Sequence, residues 1–142
     1  MKGEIASDVK AILKAMLDKD NFSHWLGLEV EAYREGYCRL SFTVRDDMLN
    51  GFHIVHGGVI FSAADSAFAF ACNSHGLISV ALDVHISFIK AANSGDVLTV
   101  EAMEIHTGNK TSFYNITISK GETLIAVFKG TAYRTSQPVV QL

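Results

Sequence analysis

No run of Lys and Arg interrupts this chain of 142 residues, and 12 basic against 15 acidic side chains leave a formal charge of -3 with a pI near 6.0. Without a cationic patch to displace counterions, neither a nucleic acid nor an anionic membrane surface is an expected partner. Cysteine is scarce too: Cys38 and Cys72 form no CxxC pair, one sitting in a strand-like segment and the other in an apolar helix, which fits a reducing compartment. The longest apolar stretch, 57–72, falls short of the roughly 20 residues that span a bilayer and carries Asp65 in its middle. Residues 1–17 alternate charged and apolar side chains and lack the pattern of a signal peptide. These absences lead to the expectation of a soluble cytoplasmic protein. The one proline, Pro138, falls in a tail from Ser136 that reads as loose.

What is abundant is apolar surface, 49% of the residues, enough for the core of a single domain over 1–142. Ile5, Val9, Ile12, Leu13, Met16 and Leu17 recur at helical spacing and predict an N-terminal helix over 5–17, with Ser7 and Asp8 as caps. After a connection at 21–26, Leu28, Val30 and Ala32, then Leu40, Phe42 and Val44, alternate with polar neighbours as in two half-buried strands joined at Glu35-Gly36. Gly57-Gly58 opens a run to about Asn73 that is small or apolar on nearly every side, the mark of a buried helix. Four strands follow, at 80–89, 97–105, 112–119 and 123–133, separated by turn residues rich in Gly and Asn. An antiparallel sheet wrapped around one central helix is the economical packing, an α+β arrangement. A helix apolar all round needs cover beyond one sheet, so an oligomer is expected.

Chemistry concentrates in Asn50-Gly51-Phe52-His53-Ile54-Val55-His56-Gly57-Gly58-Val59-Ile60-Phe61-Ser62-Ala63-Ala64-Asp65. A glycine at a helix start can offer an unpaired backbone N–H to a developing oxyanion, and the lack of a side chain permits close approach. The bland alternative for Gly57 is a glycine pair that merely lets the helix start pack tightly. Asp65 is flanked by Ala63, Ala64, Ala67 and Phe68, where an unpaired carboxylate is costly and its pKa is pushed up toward that of a useful base. Its alternative is a structural aspartate bonded to a backbone amide or to Ser62. Eight residues of helix separate Gly57 from Asp65, about 12 Å along the axis, so one chain cannot close both on the same carbonyl. If both act together, the site lies between two subunits.

The segment from Asn50 through Asp65, continuing into Ser66-Ala67-Phe68-Ala69-Phe70-Ala71-Cys72-Asn73-Ser74, resembles the Asn-Gly, His-Gly-Gly and helix-aspartate signature of the PaaI-like (phenylacetate-degradation) thioesterases of the hotdog superfamily. The likeness extends over roughly 27–133. It implies a hotdog fold, hydrolysis of aryl-acetyl or short and medium acyl-CoA esters, no cofactor beyond the coenzyme A of the substrate, and paired sites across a homodimer, often within a tetramer. Asp65 would attack the carbonyl or activate a water, with the Gly57 N–H polarising the thioester. Asn50 and His56 join them by the motif, although Asn-Gly is also a common turn pair and a histidine before a helix is often a cap residue.

Substrate-binding candidates are Gly58 and Phe61, together with Lys90, Asn109, Lys110, Thr111, Lys129 and Gly130 for the phosphates of coenzyme A, each lysine also being an ordinary solvated side chain. Relatives often carry Arg-Pro after the aromatic of the third strand. Here Phe88-Ile89 is followed by Lys90-Ala91, which keeps the charge without the bidentate geometry. Six histidines invite a metal, but neither His53 with His56 nor Asp83 with His85 has an established ligand spacing, and no metal is expected. Two rivals remain: a hotdog hydratase or dehydratase using His56 with Asp65, and a non-catalytic acyl-CoA binding module for which Asp65 is dispensable.

Overall fold

The computed structural model describes residues 5–141. The elements run α1 Lys10–Leu17, α2 Asn21–Leu26, β1 Glu29–Arg34, β2 Tyr37–Thr43, a 3-10 turn Asp46–Met48, α3 Gly57–Asn73, β3 Leu77–Phe88, β4 Val97–Thr107, β5 Thr111–Lys120 and β6 Thr123–Pro138. The six strands form one antiparallel sheet in the order β1-β2-β4-β5-β6-β3. The strand that follows α3 in sequence thus lies at the far edge, with α3 itself as part of the connection from β2.

Alternation decides which face meets α3. In β5, Ser112, Tyr114, Ile116 and Ile118 are buried while Phe113, Asn115 and Thr117 are exposed. The inner face of β6 adds Ala126, Phe128 and Ala132, and against these strands α3 lays Ala63, Ala64, Ala67, Phe68 and Ala71. Alanines let the backbone approach the sheet, and Phe68 fills the remaining gap, each such aromatic contributing about 1.5–3 kcal/mol by burial. Gly130 completes the fit: a Cβ there would fall 2.7 Å from Phe68 Cζ.

β3 behaves differently. Apart from Ser79 its residues are exposed or half-buried, with Val80 and Leu82 more than half exposed. An edge strand with unpaired backbone groups and uncovered apolar side chains is a template for another chain.

Several sequence expectations shift by a turn or a bulge. The N-terminal helix begins at Lys10, not Ile5, because Ile5 bridges Tyr33 in parallel and Ala6 N–H donates to Tyr33 O at 2.9 Å. Its N-cap is Val9, with no side-chain cap from Ser7 or Asp8. The connection at 21–26 is itself a helix, α2, capped by Asp20, whose carboxylate accepts from Ser23 N–H at 3.0 Å, and closed by Gly27 in the left-handed region. A bulge between Val30 and Ala32 breaks the alternation of β1 and turns Tyr33 fully inward, where its hydroxyl donates to Phe70 O at 2.5 Å. The tail from 136 is not loose over its first residues: β6 continues to Pro138, opposite Leu77, and Val139 N–H donates to Gly76 O at 2.9 Å. Proline is tolerated there because it sits at the end of the ladder, where its missing N–H breaks nothing.

Candidate active site

The start of α3 is built by the loop before it. Leu49 bridges Val55, Asn50 N–H donates to Ile54 O at 2.8 Å, and Asn50 Oδ1 accepts from Phe52 N–H at 2.9 Å and Ile54 N–H at 3.4 Å. Only the amide oxygen can accept two N–H groups, so Asn50 Nδ2 is the end left free to donate. The loop is fastened on both sides, Val55 N–H to Ala92 O and His56 N–H to Met48 O, each at 2.9 Å. His53 pays out the chain at φ 60, in the left-handed region.

His56 is the N-cap of α3: its Nδ1 accepts from Gly58 N–H at 2.8 Å. That bond places the ring proton of the neutral imidazole on Nε2, which faces outward from an exposed side chain. The Gly58 amide is therefore used, whereas the Gly57 N–H has no acceptor among the described residues. This orphan donor at the positive end of a helix belongs to a residue of the wall of a cavity of about 290 Å³, lined by Asn50, Ile54, Gly57, Ile60, Phe88 and Lys90 among others. The structure thus brings together three residues singled out in the sequence, Asn50, Gly57 and Lys90, with His56 beside them.

Asp65 lies two turns further on, half-buried, and accepts no hydrogen bond from the described residues. Ser62 does not serve it, because its hydroxyl donates to Gly58 O at 2.7 Å. Ser66 is taken as well, its Oγ lying 2.9 Å from Ser23 Oγ. The alternative of a bonded structural aspartate is therefore not what this chain forms. Burial pushes the Asp65 carboxyl above its ordinary range. On the wheel of α3, Asp65 shares its outward side with the small residues Gly58, Ser62 and Ala69.

The remaining candidates scatter. Phe61 is half-buried, its ring 5.5 Å from that of Phe128 on the flank of α3 facing β6. Asn109 and Lys110 are exposed in the β4–β5 turn, and Thr111 opens β5 opposite Tyr133. Phe88, against Gly57, pairs with Ala126 instead. Seven residues of β6 separate these levels, about 23 Å along the sheet, so within one chain the turn does not reach the cavity. Lys129 projects from the face opposite α3, and Gly130 is sealed beneath Phe68. Among the described residues no group of three or more His, Cys, Asp or Glu is placed to hold a metal ion, and no helix is long and apolar enough to cross a membrane.

Phe88, which the sequence marks only as the aromatic of the third strand, is 55% exposed. One residue escaped the sequence reading altogether. Arg134 clamps the β4–β5 turn, donating from Nη1 to Gly108 O at 3.0 Å and from Nη2 to Thr107 Oγ1 at 2.7 Å. The signal for Arg134 was its place one residue beyond the last predicted strand, a strand that in fact continues.

The family model of the thioesterase superfamily matches residues 52–127, more than half of the chain and the stretch that holds Gly57, Asp65 and Lys90. The chain belongs to the thioesterase superfamily. Within it, the acyl-coenzyme A thioesterase PaaI of Escherichia coli is 40% identical over 121 residues, covering 84% of this chain and 86% of that protein. The solved structure of the E. coli PaaI protein from the phenylacetic acid degradation operon matches with a TM-score of 0.91 at 35% identity, over 95% of this chain and 99% of that one. A hypothetical thioesterase protein with coenzyme A from Streptococcus pneumoniae matches with a TM-score of 0.75 at 28% identity, over 78% and 90% of the two chains. This thioesterase-superfamily chain is a PaaI-like protein of hotdog fold, and an enzyme, a thioester hydrolase.

Proposed function

We propose that the enzyme hydrolyses acyl-CoA, with aryl-acetyl (phenylacetyl-type) and short or medium acyl groups as substrates, at a site shared by two antiparallel chains. The observation that carries this reading is the pair of unsatisfied groups on α3. The Gly57 N–H lacks an acceptor and the Asp65 carboxylate lacks a donor, yet about 12 Å of helix keeps them apart. A two-fold partner running the other way sets Gly57 of one chain opposite Asp65 of the other. The exposed edge of β3 supports such a pairing, and the small-residue side of α3 leaves room for a second pair, hence a homodimer or a dimer of dimers. The same two-fold would carry the turn at Asn109, Lys110 and Thr111 to the neighbour's cavity, where Lys90 stands, a suitable setting for the phosphates of coenzyme A.

In this scheme the thioester oxygen accepts from Gly57 N–H and the carbonyl carbon faces Asp65 of the other chain. Asp65 takes a proton from water as the hydroxyl adds. The oxyanion collapses, the C–S bond breaks, and the thiolate leaves and recovers the proton, giving acid and coenzyme A. In the variant route Asp65 itself attacks, the thiolate leaves, and water cleaves the resulting anhydride. Asn50 Nδ2, free to donate, orients the water or the thioester. No group beyond side chains, one amide and water enters either route. His56 Nδ1 is engaged by Gly58 N–H, which leaves Nε2 as the one ring nitrogen available to the hydratase reading. Two thiols left unpaired fit a cytoplasmic setting, and release of coenzyme A from stalled phenylacetate intermediates fits the chemistry.

The test mixes two inactive variants, Asp65→Asn and Gly57→Val, after unfolding and refolding together, with phenylacetyl-CoA as substrate. Random pairing makes half of the dimers mixed, each with one intact site of two, so about a quarter of wild-type activity returns. No recovery from the mixture, with both variants folded and paired, overturns the shared site. Turnover in Asp65→Asn alone overturns the role of the carboxylate.

A further inference from the structure

We infer that Phe88 is a specificity-determining residue, the wall against which the acyl group lies, and that residue 57 is glycine on its account; this rests on the proposed shared acyl-CoA site. Gly57 is not in the left-handed region, so its backbone does not demand glycine. What crowds a side chain there is the neighbour: a Cβ at 57 would fall 3.2 Å from Phe88 Cζ and 3.3 Å from Cε1, so the ring would have to give by a few tenths of an ångström. The ring therefore rests against the residue whose amide belongs to the cavity wall.

Phe88 belongs to the inward set of β3. It pairs with the buried Ala126, and Val84 and Ile86 on the same side pack against the core. Its ring is nevertheless 55% exposed, because β3 is the edge strand and α3 has only begun at this level. An inward-facing aromatic left uncovered beside an orphan N–H is a surface awaiting an apolar group.

Geometry limits which group that is. A carbonyl oxygen within about 3 Å of the Gly57 nitrogen brings the two groups on its carbon into the cavity that Phe88 lines. One substituent is the sulfur with its pantetheine arm, the other the acyl carbon chain. The wall continuous with Phe88 is Ile54, Ile60 and Ile89. These side chains suit hydrocarbon, whereas Asn50 and Lys90 form the polar lining of the same cavity, so the acyl carbons lie against Phe88 and the isoleucines and the pantetheine arm toward Lys90. With its Cζ–Cε1 edge turned to Gly57, the rest of the ring can take an aryl group in edge-to-face or offset contact.

The test compares wild type, Phe88→Ala and Phe88→Leu on two readouts. The first is kcat/KM for phenylacetyl-CoA against decanoyl-CoA. The second is binding of the matching non-hydrolysable thioethers, phenethyl-CoA and decyl-CoA, by calorimetry. Removing the ring opens the pocket, so Phe88→Ala shifts both ratios toward the longer chain by at least about tenfold, with Phe88→Leu between. Gly57→Ala loses most activity alone and regains part of it in Gly57→Ala/Phe88→Ala, the non-additivity expected of touching residues. A loss equal for both acyl groups in folded variants, or strictly additive effects at 57 and 88, overturns the assignment. A wild type that binds the thioethers but cleaves no ester would overturn the proposed reaction instead, leaving the binding ratio to judge Phe88.

Discussion

At the scale of single residues, Asp65 carries a conflict between stability and activity. Burial raises its pKa, so the fold favours the protonated form, while the chemistry needs the charged one. For a carboxyl whose folded pKa lies above the unfolded value, the stabilisation is complete below the ordinary pKa of 3.8 and is lost as pH rises through the raised one. Asp65→Asn is therefore expected to lower kcat about 10³-fold while raising Tm at pH 7 by about 2 °C. Melting curves at pH 7 and below pH 4 check it, because the gain should vanish in acid. The acid limb of kcat for the wild type should fall as pH drops through a midpoint above 3.8, since protonation removes the reactive form. His56 makes a separate contribution as a cap: His56→Ala should cost about 1 kcal/mol in urea unfolding, most of it restored by His56→Asn, which also caps. Asp65 and Gly57 were legible in the sequence because a lone acid and a glycine pair interrupt an apolar run. The exposure of Phe88 was not, since nothing in one chain distinguishes an aromatic at an edge from one in the core.

Among the elements, α3 and β5 were read correctly from their period, while the start of α1, the course of β1 and α2 itself are set by long-range bonds and were not. α3 and the alternation of β5 follow from side-chain pattern alone. α2 has too few residues to show a period, and what holds it is tertiary: Asp20 Oδ2 accepts from Ser23 Oγ at 2.6 Å, and Ser23 Oγ in turn meets Ser66 of α3. Ser23→Ala breaks both contacts at a fully buried position and should cost about 1–2 kcal/mol, measured by urea unfolding. The bulges in β1 and β3 were equally invisible, since an inserted residue reverses the pattern without leaving a mark of its own. Gly130 shows how far packing dictates a strand residue. Gly130→Ala should destabilise by about 1–3 kcal/mol, and Phe68→Leu in the same chain should recover part of that by giving the new methyl room.

For the whole molecule, a second chain is required if Gly57 and Asp65 act on one carbonyl, and that condition can be read without coordinates, because a distance along one helix follows from sequence number alone. The edge such a partner would use was hidden, since the place of β3 beyond β6 is set by long-range strand pairing. Charges on an edge strand oppose pairing, so Val80→Lys/Leu82→Lys is expected to sediment as a monomer and to lose activity while keeping its native circular dichroism spectrum.

Cys38 and Cys72 are 0% and 1% exposed, and burial lifts each thiol to about 12. A chromogenic disulfide reagent added to the native protein thus meets almost no thiolate, and each equivalent of colour counts one coenzyme A set free. The silence ends when the sheet and α3 part, at which point two further equivalents appear from the protein itself. One cuvette can therefore follow turnover and then, on heating, announce the loss of the fold.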